Sequence, residues 1–143
     1  HSKGRVPMTR TSLLIAGAII VAALALYLFV NQAPVTSGPP LVAVIVPELG
    51  AYERVGEAAY NARCAFCHGV NAAGQDGIAP PLVHRIYEPG HHGDQAFLVA
   101  AQLGVRAHHW RFGDMPPVEG ITEAEVASIT TYVRALQRAN GIE

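Results

Sequence analysis

Residues 61–70, Asn61-Ala62-Arg63-Cys64-Ala65-Phe66-Cys67-His68-Gly69-Val70 (NARCAFCHGV), contain both cysteines of the chain. The thiols stand three positions apart, and an imidazole follows the second at once. What these three side chains do together decides how the remaining residues are read.

Three chemistries use such a spacing. A thioredoxin-like dithiol needs a strand before it and a βαβ setting, whereas here the pair ends a helical pattern and opens a loop. A Cys64–Cys67 disulfide is chemically open only in an oxidising compartment. A closed zinc site takes four ligands. With no second cysteine pair, the others would have to come from His84, His91, His92, His108 or His109. The third chemistry is covalent haem attachment, whose signature is C-x-x-C-H. Both thiols add to the vinyl groups of one porphyrin edge, and one helical turn between them matches that edge. His68 then falls beneath the iron as the proximal ligand. This reading uses all three residues, and it is preferred: one haem c, covalent through Cys64 and Cys67.

A second axial ligand is expected from a later loop. Beyond residue 31 the one methionine is Met115, in RFGDMPPVEG. Proline after it stiffens the loop, and a turn sequence is a poor place for a gap-filling core methionine. His108 and His109 are the rival ligands. They would give a bis-histidine haem of lower potential, since Met/His ligation raises it.

Around this centre the pattern predicts an all-α domain over residues 52–143. One helix runs from Tyr52 to about Arg63 and enters Cys64. Its Gly56 costs about 1 kcal/mol against alanine inside a helix, which points to a close approach by another element. A second runs from Asp94, the expected N-cap, to about Leu103, with Gly104 as its stop. The third opens on the capping box Thr122-Glu123-Ala124-Glu125 and carries Val126, Ile129, Val133 and Leu136 at 3–4 spacing before Gly141. The long Gly- and Pro-rich loop between the first two helices suggests something to wrap around.

Half of the 143 residues are hydrophobic, and the excess lies in SLLIAGAIIVAALALYLFV, residues 12–30. Leu13 to Val30 are 18 residues without a charge, roughly 27 Å of helix and enough to cross a bilayer core. A cleaved signal peptide is the competing reading, but no A-x-A-like site follows. The expectation is a transmembrane anchor over residues 12–30, after a cytoplasmic N-terminus of residues 1–11. Met8 opens a second start, MTRTSLLIAG, and Arg10 preserves the orientation from either. Lys3, Arg5 and Arg10 precede the span, and positive residues stay inside. Beyond it lie 7 basic and all 11 acidic residues, a net charge of −4, which excludes a nucleic-acid footprint. Residues 31–51, with Pro34, Pro39, Pro40 and Pro47, read as a semi-extended linker. Its apolar run, residues 41–46, is expected to lie on the haem domain or on a neighbouring membrane subunit.

From Tyr52 onward the chain resembles the class I, mono-haem c-type cytochromes. Their G-x-x-x-aromatic-x-x-x-C-x-x-C-H appears as Gly56-Glu57-Ala58-Ala59-Tyr60-Asn61-Ala62-Arg63-Cys64 and onward. The resemblance implies crossing first and last helices, with Gly56 letting Tyr132 pack close. It implies that the carbonyl of Pro80, in APPL, takes the proximal imidazole N–H, and that Met115, with Pro116 behind it, is the distal ligand. His108-His109-Trp110-Arg111 is not a general element of that class, and Trp110 or Arg111 is read as reaching a haem propionate. Iron held by both His68 and Met115 has no open position, so an electron carrier is expected rather than an enzyme, with no small-molecule substrate. The expected setting is a bacterial inner membrane with the haem domain periplasmic. There it would carry electrons from a quinol-oxidising complex of bc1 type to a terminal oxidase or photosynthetic reaction centre. The alternative is a fixed haem subunit of such a complex or of a dehydrogenase. A five-coordinate haem acting on peroxide or small gases would follow if Met115 does not bind.

Overall fold

A computed structural model describes residues 10–30 and 38–143. The chain divides into two units, His1–Ala33 and Pro34–Glu143. The first contains helix α1, Arg10–Val30. Its described side chains, Leu14 to Tyr27, are exposed on every face of the helix. Among the described residues no helix is long and apolar enough to cross a membrane, so the anchor stands as a sequence-based expectation. Residues 1–9 of the expected cytoplasmic segment and 31–37 of the expected linker lie outside the described residues.

The second unit is all-α. Its helices are α2 (Ala51–Arg63), α3 (Ala65–His68), α4 (Asp94–Leu103) and α5 (Glu123–Ala139). Among the described residues there is no strand, only the isolated bridges Gln75–Ala79 and Val105–Met115. Thr122 caps α5 as the sequence predicts: its hydroxyl accepts from Glu125 N at 3.2 Å, and its own N–H donates to Glu125 Oε2 at 2.9 Å. α4 differs by one residue. Gly93 is the N-cap, and Asp94 sits in the first turn, where a carboxylate complements the helix dipole.

The core forms where α2 crosses α5. A Cβ on Gly56 would collide with the carbonyl oxygen of Ser128 and stand 2.9 Å from Tyr132 Cβ. Only a bare Cα lets the two helices approach this closely. Tyr60 and Tyr132, both fully buried, then pack with ring centroids 5.5 Å apart and tilted by 52°. Tyr60 donates its hydroxyl to Gly69 O at 2.8 Å, and Tyr132 donates to Asn71 Oδ1 at 3.2 Å. The core thereby grips the loop just after His68. Burial pushes both phenols up, Tyr132 to about 12.

Residues 38–50 are not a free spacer. Leu41 and Val42 donate backbone N–H groups to Ala73 O, and Ile45 exchanges two hydrogen bonds with the Asn140 side chain at 2.9 and 2.8 Å. Leu49 is buried in the core. The segment is irregular and docked on the domain, while Ile45 and Val46 stay exposed.

Candidate functional site

A cavity of about 580 Å³ opens beside the cysteine pair. Cys64, Cys67, His68 and Pro80 line one part of its wall, and Trp110 and Met115 line another. Phe97 of α4 and Ile129 of α5 contribute apolar surface. A second hollow of about 430 Å³, bounded by Asp94, Glu123 and Arg138, contains none of the predicted site residues.

The short helix α3 assembles the motif. Cys64 ends α2, and its carbonyl accepts from Cys67 N at 3.1 Å and His68 N at 2.9 Å. One helical turn thus stacks the second cysteine and the imidazole over the first. Gly69, at φ 75°, turns the chain away, and Gly74 N closes the loop onto His68 O at 2.7 Å. The Cys64 thiol is pushed up to about 11, first by burial and then by Cys67. A disulfide-exchange nucleophile needs the opposite shift, which counts against dithiol catalysis here.

His68 is buried and its Nδ1–H donates to Pro80 O at 2.8 Å. Burial holds its pKa below the ordinary histidine value, against the opposing pull of that carbonyl. A neutral imidazole with Nδ1 protonated carries its lone pair on Nε2, the form that ligates metals.

Met115 reaches the cavity through a two-rung ladder: Val105 N donates to Met115 O and Met115 N to Val105 O, each at 2.9 Å. Gly104, at φ 76°, permits this approach, because a Cβ there would stand 2.6 Å from Met115 O. The loop between them is closed by Ala107 N donating to Asp114 Oδ1 at 2.8 Å. Trp110 lines the cavity with its ring edge-on to His84 at 5.0 Å. Its buried indole N–H has no hydrogen-bond partner. The Tyr87 phenol, raised by burial, feels that indole as an opposing influence, but the pair lacks hydrogen-bond geometry. Arg111 is exposed and outside the wall, whereas Phe112 lines it. His108 and His109 line the same cavity.

These residues fit a covalent haem c. Two thiols one turn apart would hold the porphyrin, a neutral imidazole nitrogen and a thioether are donors suited to iron, and the apolar wall suits a macrocycle. The orphaned Trp110 N–H is a donor awaiting an acceptor; left unmade, such a bond costs about 1–3 kcal/mol.

Sequence reasoning missed Gln75. It is fully buried, and its Nε2 donates to the carbonyls of Ala65, Phe66 and Cys67 at 3.3, 2.5 and 3.1 Å. The carbonyls of Phe66 and Cys67 are ones that the end of α3 leaves without helical partners, while Ala65 O also accepts from Gly69 N at 2.9 Å. Its Oε1 accepts from Gly38 N at 2.9 Å, joining the docked segment to the cysteine turn. A glutamine between glycines in a loop carries no periodic signal that could have revealed this.

A family model described as cytochrome c matches residues 54–137. No curated protein and no solved structure matches the chain.

Proposed function

Because this chain belongs to the cytochrome c family, we propose that it is a mono-haem, class I electron-transfer cytochrome anchored in a bacterial inner membrane with its haem domain periplasmic. It carries single electrons between a quinol-oxidising complex of bc1 type and a terminal oxidase or reaction centre. The reading rests above all on His68, whose Nδ1–H is bonded to Pro80 O at 2.8 Å within one turn of both cysteines. Haem c, when bound, supplies a one-electron iron couple. The chain does the rest. Cys64 and Cys67 hold the group, Pro80 fixes the tautomer of His68, and Met115 offers a thioether from the far loop. Trp110 presents an N–H for a propionate. With both His68 and Met115 engaged, no coordination position would be open to a substrate, and the fold would act as a carrier.

The anchor reading is supported by the 18 uncharged residues Leu13–Val30 and by Lys3, Arg5 and Arg10 before them. A second reading, a fixed haem subunit of a larger membrane complex, draws support from the docked segment. Ile45 and Val46 are exposed there, as are Tyr52 and Val55 on α2. Detergent extraction separates the two: a carrier comes away alone, a subunit at fixed stoichiometry with its complex.

The full chain should show a c-type haem spectrum and, when oxidised, the weak near-infrared band of a methionine–iron bond. Met115→Ala is expected to abolish that band and lower the midpoint potential. Persistence of the band in the variant, or its absence from the wild type, overturns the ligand assignment.

A further inference from the structure

Four histidines serve none of the roles above. His91 and His92 lie in the loop before α4, and His108 and His109 in the loop before Met115. The fold brings the two pairs together. His91 Nε2 stands 3.4 Å from His109 Nε2, and the His92 and His109 rings are 5.3 Å apart between centroids. One nitrogen from each of His91, His92 and His109 lies within 4.8 Å of the others. A single N–H···N bond accounts for the His91–His109 pair but gives no reason for a third imidazole. A shared cation does.

The geometry suits such an ion. Imidazole nitrogens bind zinc at about 2.0–2.1 Å, so two of them on a tetrahedral ion stand roughly 3.3–3.4 Å apart. His92 is also prepared as a ligand: its Nδ1–H donates to Ile86 O at 2.6 Å, leaving the lone pair on Nε2. Carbonyl-oriented imidazoles of this kind are the usual partners of metal-binding nitrogens.

The cluster is built before any ion arrives. His91 N and His92 N both donate to Glu88 O. The His92 carbonyl accepts from Arg134 Nη2 at 2.6 Å. Arg134 is itself buried, paired to Asp94 at 2.8 Å and donating to Tyr87 O at 2.6 Å. On the other loop His108 Nδ1–H donates to Arg106 O at 2.9 Å, and its ring lies 4.2 Å from His109, a neighbouring fourth donor.

We propose that His91, His92 and His109 form a three-imidazole site for a copper(II) or zinc ion, with a ligand set that does not include His68. An all-imidazole donor set disfavours calcium and magnesium, which take oxygen ligands. Among divalent first-row ions copper(II) binds such sites most tightly. His91 and His109 are exposed, so the ion enters directly from solvent. His92 and His109 belong to the wall of the haem cavity and His91 does not, and the site does not depend on the identity of the redox partners.

The test uses the full-length, haem-loaded protein after treatment with a chelator. Calorimetric titration with copper(II), and separately with zinc, is expected to show one equivalent bound at micromolar or tighter affinity. The copper form should give nitrogen hyperfine couplings by electron paramagnetic resonance. His91→Ala, at an exposed residue outside the cavity wall, is expected to weaken binding by about 100-fold while the haem absorption bands stay unchanged, and His109→Gln is expected to weaken binding as well. Failure of the wild type to bind one equivalent, or equal binding by the variants, overturns the site. Unchanged haem bands keep that failure distinct from any failure of the cytochrome reading.

Discussion

At residue scale the cysteine turn depends on a side chain remote from any motif. Gln75 gives one amide nitrogen to three successive carbonyls at the end of α3. Replacing it with methionine keeps the length and removes the polar head. The carbonyls then lose a buried donor, a loss of about 1–3 kcal/mol. We expect Gln75→Met to unfold about 2 kcal/mol more easily in urea, with Gly38 released from its Oε1. An unchanged midpoint would mean that water satisfies those carbonyls. The other site residues were legible to very different degrees. Cys64, Cys67 and His68 announce themselves because three reactive groups share one turn. Met115 and Pro80 needed either elimination or a family pattern. Gly104 read only as a helix stop, because its contact with Met115 O joins positions that no local periodicity connects.

At element scale the α2–α5 crossing was readable because one glycine in a helical pattern needs a reason. The reason is backbone contact. A methyl on Gly56 meets the Ser128 carbonyl, which cannot swing aside as a flexible side chain would. Overpacking costs about 1–3 kcal/mol, and the better helix propensity of alanine returns about 1 kcal/mol. Gly56→Ala should therefore lose up to about 2 kcal/mol net in denaturant unfolding; a gain would show that the helices separate freely. The start of α5 makes a pH prediction. The Thr122 N–H, then its hydroxyl and Arg63, hold the Glu125 carboxyl below its usual range. A depressed folded pKa contributes stability above the unfolded value and loses it as pH falls through the folded one. The wild type should thus lose its thermal advantage over Glu125→Gln on acidification below the ordinary glutamate range, and parallel melting curves across that range would refute the coupling. Residues 38–50 were legible in part: the apolar run 41–46 was expected against the domain or a neighbouring subunit, and Leu41 and Val42 do lie on the domain, but the rest read as a linker. They lack a period of either kind, and their partners, Ala73 and Asn140, are set by the tertiary fold.

At the scale of the whole molecule, docking of residues 38–50 shortens the tether that the sequence suggested. Between α1, which ends at Val30, and the docked Gly38 there are only residues 31–37, and the eight steps from Val30 to Gly38 span no more than about 29 Å when fully extended. If α1 is held in a bilayer, the haem domain is confined close to its surface. Effective concentration toward a membrane-bound partner then rises without any new contact. The exposed apolar side chains of α1, Leu14 through Tyr27, have nothing to gain from water, and if α1 is a span the cations before it would favour the cytoplasmic side. A protease site inserted between Ala33 and Gly38 tests the arrangement in intact spheroplasts. Protease added outside should release a soluble, haem-bearing domain with an unchanged spectrum, whereas the uncut chain should resist a salt wash and yield only to detergent. Release that requires lysis would reverse the orientation. Removal of the uncut chain by salt alone would mean that α1 lies on a protein partner, and the carrier would become a peripheral subunit.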